Sequence, residues 1–158
     1  WGGGYGNLAR IFRKLNTKAT YIIVDLPIFS FIQALYLSLT VGAENVNLIL
    51  NKNSSIIPGK INIIPLESGI LERLDIQKTD IFISTWALSE SSLYSIEQVE
   101  KLNFFGAKYL LLAHQASSSL TPYSEEIIKH MTNYKTLFHE KIPLLKNNYY
   151  LFAQNKNE

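Results

Sequence analysis

The amino end of the chain limits its possible folds more than any other feature. Four glycines fall within the first six residues, in the order Gly2-Gly3-Gly4-Tyr5-Gly6. Glycine allows the backbone to take a positive φ angle and to come close to a ligand. Apolar residues then recur every three or four positions over residues 8–15, which indicates an amphipathic helix. A glycine loop that opens a helix predicts a ligand-binding turn, although an ordinary turn can have the same composition.

The segment after this helix has the pattern of a strand that is buried on both faces. Residues 21–24 are Tyr-Ile-Ile-Val, an apolar run without polar alternation, which is typical of parallel sheets. The run ends at Asp25-Leu26-Pro27, and a proline suits the first turn of the next helix. That helix is predicted to extend to about Gly42, because glycine commonly ends helices.

The rest of the chain alternates between predicted strands and helices. Strands are expected at residues 46–50, 61–65, 80–84 and 109–113. The sequence leaves open which of the first two is the principal parallel strand. Helices are expected over residues 93–102, after serines that suit helix caps, and from Thr121-Pro122 to Met131. Residues 137–142 and 149–153 are predicted to form an antiparallel hairpin, because the link between them is too short for a crossover helix.

This order of elements predicts an α/β fold, a Rossmann-like three-layer sandwich with a mostly parallel sheet and a C-terminal antiparallel hairpin. The 158 residues suit one domain with a sizeable core, which we place over residues 1–158. A hydrophobic content of 47% and a charged content of 18% argue against a disordered chain. Because the chain starts with Trp1 at the glycine loop itself, we expect that the first strand of this fold is missing.

Composition argues against several classes of function. A net charge of +2 with scattered basic residues gives no support for binding to nucleic acid or to an anionic membrane. The absence of cysteine excludes disulfides, thiolate metal sites and cysteine nucleophiles, and it fits a cytoplasmic location. No signal peptide is recognisable, and the apolar segment Leu26–Val41 is interrupted by polar residues and short for a bilayer span.

An acidic residue is placed where it can meet a ligand held by the glycine loop. Asp25 lies nineteen residues after Gly6 and ends the predicted strand, so its carboxylate can accept hydrogen bonds from both hydroxyls of a ribose. Ligands of open α/β sheets bind outside the carboxyl ends of the strands, where both features lie. Asp25 also suits the position that caps the following helix, and the two roles are compatible.

The spacing of the glycines separates two cofactors. Dinucleotide-binding folds favour G-x-G-x-x-G, whereas here the loop is G-x-G-x-G and residue 7 is asparagine. A loop of this kind is typical of enzymes that bind S-adenosylmethionine, a ligand without a pyrophosphate to cradle. The sequence therefore favours S-adenosyl-L-methionine as the cofactor over a nicotinamide dinucleotide.

Three motifs together resemble the sugar O-methyltransferase family, within the class I S-adenosylmethionine-dependent methyltransferase superfamily. They are the loop Gly2–Gly6, the segment Ile23–Pro27 with its "VDLP" strand end, and the small polar segment Ser84–Glu90. The loop and the aspartate are general to the superfamily, and only the other two features point to the sugar family. The resemblance implies methyl transfer to a hydroxyl of a sugar or of a sugar-containing small molecule. In the family a full strand and an acid precede the glycines, so this chain resembles a member truncated at its amino end.

The resemblance and the order of elements together imply which residues bind the cofactor. Gly2, Gly4 and Gly6 would hold the methionine part, Asp25 the ribose, and residues 61–66 would flank the adenine. Gly3, Tyr5 and Leu26 are also expected to bind the cofactor. Ser84, Thr85 and Trp86 are expected to line the cofactor cleft at the end of the fourth strand. Trp86 equally suits an ordinary core position.

Two further residues near these strand ends have open roles. Glu90 is either an anchor behind the cofactor site or an acid that caps a helix. His114 follows the apolar run at residues 110–113 and is expected at the carboxyl end of the fifth strand, facing the same cleft. Histidine titrates in the range useful for a general base, so His114 is the candidate catalytic residue. A loop histidine bonded to the backbone is the alternative. His130 and His139 have no spacing that indicates a metal site.

Two other functions compete with methyl transfer. One is a non-catalytic Rossmann-like module that binds a ligand or a partner within a larger protein. The other is a nicotinamide-dependent oxidoreductase, which the glycine spacing disfavours. The sequence defines neither the acceptor atom nor the oligomeric state.

Overall fold

A computed structural model describes residues 1–16, 18–51, 53–67, 70, 71, 74, 76 and 78–157. The chain divides into two compact units, each with its own sheet. The amino-terminal unit comprises residues 2–75, and the carboxy-terminal unit comprises residue 1 with residues 76–158. That the whole chain acts as one domain stays a prediction.

The amino-terminal unit is a small parallel α/β layer. Its elements are helix α1 (Asn7–Leu15), strand β1 (Tyr21–Asp25), helix α2 (Pro27–Val41), a 3₁₀ turn (Ala43–Asn45), strand β2 (Val46–Leu48) and strand β3 (Ile61–Pro65). The strands lie in the order β1-β3-β2, and both pairings are parallel. Since β3 is central and all five of its residues are buried, it is the principal strand that the sequence left open, and β2 is the edge piece.

The core of this unit lies between the two helices and the sheet. It consists of Ala9 from α1, Ile23 from β1, Leu37 from α2 and Ile61 with Ile63 from β3. Helix α2 is the longest helix at 15 residues and contains no charged residue. In the part of the chain that the structure describes, no helix is long and apolar enough to cross a membrane.

The carboxy-terminal unit contains a mixed sheet. Its elements are strand β4 (Ile81–Thr85), helix α3 (Leu93–Lys101), the turn α4 (Asn103–Gly106), strand β5 (Tyr109–Gln115), helix α5 (Glu126–Lys129), strand β6 (Tyr134–Lys141) and strand β7 (Asn148–Asn155). The strand order is β4-β5-β7-β6, in which β4 and β5 are parallel. Strand β7 is antiparallel to both of its neighbours, so the predicted C-terminal hairpin is confirmed.

Of two helices predicted in this unit, one begins after a serine cap as expected, and the other is shorter than predicted. Before α3, the hydroxyl of Ser92 accepts a hydrogen bond from the Ser95 N–H at 3.4 Å, as expected of a serine cap. The helix predicted from Thr121-Pro122 to Met131 is wrong in its extent, because only Glu126–Lys129 is helical. Hydroxyl groups explain the difference, since the Ser118 hydroxyl accepts from the Thr121 N–H at 3.2 Å and stabilises a turn instead.

The turn α4 has a left-handed backbone. Asn103, Phe104, Phe105 and Gly106 have φ angles of 47°, 50°, 56° and 62°. A left-handed conformation costs about 1–2 kcal/mol for each residue with a side chain. Phe104 offsets part of this cost, because its ring is 2% exposed and packs edge-on against Phe82 at 5.5 Å.

Candidate functional site

The glycine loop has the backbone that its composition predicts. Gly2, Gly4 and Gly6 have positive φ angles of 71°, 52° and 100°. The Gly2 N–H donates to the Val24 carbonyl at 2.9 Å, and the Gly6 N–H donates to the Gly3 carbonyl at 2.8 Å. Gly6 then lies at the N-cap of α1. The loop is therefore fixed at the end of β1 and leads directly into a helix.

Two glycines of the loop are needed for different reasons. A Cβ atom on Gly4 would meet no atom within 4 Å, so only its positive φ excludes a side chain. A Cβ atom on Gly3 would lie 2.7 Å from Cγ2 of Ile23 and 2.9 Å from Nε2 of Gln33. Gly3 is thus required by close packing rather than by conformation.

The carboxylate of Asp25 is bound to this loop. Its Oδ2 accepts hydrogen bonds from the Gly3 N–H at 2.7 Å and from Nε2 of Gln33 at 2.7 Å. Its Oδ1 accepts from the Leu26 N–H at 2.8 Å. The sequence predicted that loop and acid would lie together, and they do. An ionised carboxylate offers about four acceptor positions, so three bonds leave about one position for a ligand.

Two backbone donors of the loop have no acceptor among the residues described. They are the N–H groups of Gly4 and Tyr5, which precede the nine-residue helix α1. Gly4 is exposed, and the Tyr5 ring packs edge-on against Tyr36 with ring centroids 5.0 Å apart. Free N–H groups near a helix amino terminus attract the negatively charged groups of ligands.

Sequence reasoning missed Gln33. Its side chain is fully buried at 0% exposure, and its Nε2 donates to the Gly4 carbonyl at 2.8 Å as well as to Asp25. Its Oε1 has no hydrogen-bond partner in the part of the chain that is described. The available signal was a single glutamine within the apolar helix, eight residues after the acid and four before the buried Leu37.

In the carboxy-terminal unit, the end of β4 contains the predicted Ser84, Thr85 and Trp86. The Ser84 hydroxyl is buried and accepts from the Leu88 N–H at 3.0 Å, whereas the Thr85 side chain is exposed. Trp86 has a positive φ of 64°, and its indole N–H donates to Oδ1 of Asn148 at 2.6 Å. Their contact with a cofactor stays a prediction, and Thr85 has the most accessible side chain of the three.

Glu90 is exposed and does not cap α3. That cap is Ser92, so the capping role considered for Glu90 is wrong. Its role as an anchor stays a prediction.

His114 lies within β5 rather than in a loop, because the strand extends to Gln115. The imidazole is 1% exposed and stacks on the ring of Tyr149 with centroids 5.4 Å apart. Its Nε2 lies 2.9 Å from Nε2 of His139, and its Nδ1 lies 3.2 Å from the Gln115 carbonyl oxygen. Burial lowers the pKa of His114 below its ordinary value of 6.5, and the nearby His139 lowers it further. Each ring nitrogen of His114 thus faces a hydrogen-bonding partner within the protein. That His114 acts as a general base stays a prediction.

His130 has a separate partner. Its Nδ1 lies 2.5 Å from Oε2 of Glu100. Among the residues that the structure describes, no three metal-ligating side chains form a group.

No family model matches the sequence, and no curated protein matches it. Solved structures do match the fold. A protein assigned as an O-methyltransferase from Nostoc punctiforme PCC 73102 aligns over 97% of this chain, with 9% identity and a TM-score of 0.63. The PH0226 protein from Pyrococcus horikoshii OT3 aligns over 97%, with 10% identity and a TM-score of 0.61. LepI in complex with SAM aligns over 98%, with 10% identity and a TM-score of 0.56.

The chain has the fold of a Rossmann-like methyltransferase. It spans 49% of the Nostoc protein, 78% of the Pyrococcus protein and 42% of LepI. At these identities the likeness extends to the fold and not to the substrate.

Proposed function

We propose that this chain is the cofactor-binding core of an S-adenosylmethionine-dependent methyltransferase that acts on a hydroxyl of a sugar or sugar-containing small molecule. One observation carries the proposal. The Gly3 N–H donates to Oδ2 of Asp25 at 2.7 Å, which joins the glycine loop and the acid in one site. The methyltransferase fold of the solved structures supports the same function.

The free donors of the loop fit the charged end of this cofactor. The N–H groups of Gly4 and Tyr5 would donate to its carboxylate, which the amino terminus of α1 also attracts. Gly2 and Gly6 would keep the loop in the required shape, and the empty space beside Gly4 would admit the ligand. The same groups offer no match to the ammonium of the methionine part, which other residues must bind.

The ribose would be bound at the end of β1. The acceptor position that remains on Asp25 would take one ribose hydroxyl, and the exposed Leu26 would flank the ring. A second hydroxyl could bind only if it displaced one of the three present donors. Ser84, Thr85 and Trp86 remain proposed cofactor contacts, as does the region of residues 61–66 beside the adenine.

S-adenosylmethionine would supply a sulfonium methyl group. A substrate oxygen would attack this carbon in line, so that the oxygen–carbon bond forms as the carbon–sulfur bond breaks and S-adenosylhomocysteine leaves. The protein contributes mainly alignment of the two reactants. His114 is the proposed base for the hydroxyl proton, and it must first release His139, because Nε2 of each ring now faces the other. The sugar acceptor rests on the resemblance of Ile23–Pro27 and Ser84–Glu90, and the cytoplasmic location rests on the cysteine-free sequence.

Calorimetry with S-adenosylhomocysteine and with NAD tests the proposal. We expect the chain to bind the former and not the latter. Asp25→Ala should weaken binding by about 1.5–3 kcal/mol, the range for a hydrogen bond to a charged group. Asp25→Asn keeps one acceptor oxygen and should lose less. Asp80→Ala removes an exposed acid in the other unit and serves as the control, with unchanged affinity.

Two results would contradict the proposed function, and each would favour a different alternative. Binding of NAD without S-adenosylhomocysteine would make the chain part of an oxidoreductase. Binding of neither would favour the non-catalytic module.

A further inference from the structure

Gln33 connects the two parts of the proposed cofactor site. Its side chain lies on the inner face of α2, where Ser30 and Leu37 are also buried. One Nε2 proton is donated to the Gly4 carbonyl at 2.8 Å and the other to Oδ2 of Asp25 at 2.7 Å. Both donors of this amide are therefore used on the loop and on the acid.

The two acceptors fix the orientation of the amide. A carbonyl and a carboxylate oxygen can only accept, so nitrogen rather than oxygen must face them. Oε1 of Gln33 is then left buried without a partner among the residues described. An orphan buried acceptor destabilises a folded protein. Methionine would fill a similar volume without this orphan oxygen, so what glutamine supplies at this position is its two hydrogen bonds to the loop and to the acid.

We propose that Gln33 is a positioning residue that holds Asp25 and the glycine loop in their ligand-binding geometry. The inference rests on the proposed function of the loop and deepens it. With Oδ2 held by Gln33 and by the Gly3 N–H, the carboxylate cannot rotate freely about its Cβ–Cγ bond. Its remaining acceptor position thus keeps one direction before a ligand arrives, which reduces the cost of ordering on binding.

A double-mutant cycle tests whether Gln33 acts through Asp25. The affinity for S-adenosylhomocysteine is measured for the natural chain, for Gln33→Met, for Asp25→Ala and for the double variant. Gln33→Met should weaken binding about tenfold in the natural background, the size expected for one charged hydrogen bond. In the Asp25→Ala background it should change the affinity by less than about twofold, because the group through which it acts is gone.

Two comparisons separate positioning from a general effect on folding. Gln98→Met makes the same substitution on α3 in the other unit and should leave the affinity unchanged. In ligand-free protein, the amide proton of Gly3 should exchange faster with solvent in Gln33→Met, while amides of β3 keep their protection. Should Gln33→Met fail to fold, Gln33→Asn is one methylene shorter, cannot reach both acceptors and should show the same tenfold loss.

The failure of this inference can be told apart from the failure of the proposed function. Equal weakening by Gln33→Met in both backgrounds, or no weakening in either, overturns the positioning role and leaves the methyltransferase proposal intact. A natural chain that does not bind S-adenosylhomocysteine overturns both.

Discussion

The Nε2 atoms of His114 and His139 lie 2.9 Å apart and form one hydrogen bond. Two identical atoms can share such a bond only if one carries the proton and the other a lone pair. Nδ1 of His114 faces the carbonyl of Gln115 at 3.2 Å, and a carbonyl only accepts. His114 is therefore protonated on Nδ1, and its Nε2 accepts the proton of His139. Protonation of both rings would remove the acceptor and set two positive charges side by side.

This pair predicts that stability falls as the medium becomes acidic. Burial lowers the pKa of His114 below 6.5, so the folded protein binds this proton less readily than the unfolded chain. The free energy of unfolding is then at its full value above pH 6.5, and it declines as the pH falls toward the lowered pKa. Urea denaturation at several pH values between about 5 and 8 measures this slope.

Two variants assign the slope to His114. His114→Gln does not titrate and should flatten the curve below pH 6.5. His130→Gln removes a histidine outside this pair and should leave in place the decline that His114 produces. A natural protein whose stability is constant over this range would contradict the assignment.

A second prediction concerns the proposed base. With a sugar acceptor that the protein methylates, His114→Gln should lower kcat by about 10²–10⁴, the usual contribution of a general base. The affinity for S-adenosylhomocysteine should not change, because this residue is not proposed to bind the cofactor. His139→Phe leaves Nε2 of His114 without its present partner and should not lower kcat. Full activity of His114→Gln would show that the base lies elsewhere.

The third prediction contrasts two adjacent glycines. Gly4→Ala should cost about 1–2 kcal/mol of unfolding free energy, because alanine disfavours positive φ. Gly3→Ala should cost more, since its Cβ would meet Cγ2 of Ile23 at 2.7 Å inside the core. It should also weaken S-adenosylhomocysteine binding more strongly, because the displaced backbone donates to Asp25.

Thermal or urea melts of both variants, together with calorimetry, measure this contrast. Gly59→Ala, at a glycine with φ of 75° whose nearest neighbour would be 3.7 Å away, controls for the backbone cost alone. Equal losses for Gly3→Ala and Gly4→Ala would contradict the packing argument.

The sequence predicted those features that depend on neighbouring residues. An unbroken apolar run indicated β1, and the run at 110–113 indicated β5. The glycine loop and Asp25 lie together because the loop, which precedes α1, is hydrogen-bonded to the carboxyl end of β1, where Asp25 lies. The link between β6 and β7 is short, so these two strands had to form an antiparallel hairpin regardless of which other strand pairs with them.

Features that depend on contacts between residues distant in the sequence could not be predicted from local patterns. His114 meets His139 only because β7 lies between β5 and β6 and pairs with both, a register that no local pattern encodes. A lone glutamine in an apolar helix equally suits a solvent-facing position, so the contact of Gln33 with Asp25 required the packing of α2. The left-handed turn Asn103–Gly106 depends on where the Phe104 ring is buried.

The central position of β3 determines when the amino-terminal sheet can form during synthesis. Strand β3 is the last of its three strands to be made, yet β1 and β2 each pair with it and not with each other. Tyr21 can pair with Ile61 only after forty further residues have been synthesised. This takes about 2–8 s at ribosomal rates of roughly 5–20 residues per second. Until β3 is available, the apolar segments of β1 and α2 lack the sheet that covers them in the folded unit, which leaves them open to chaperones and to aggregation.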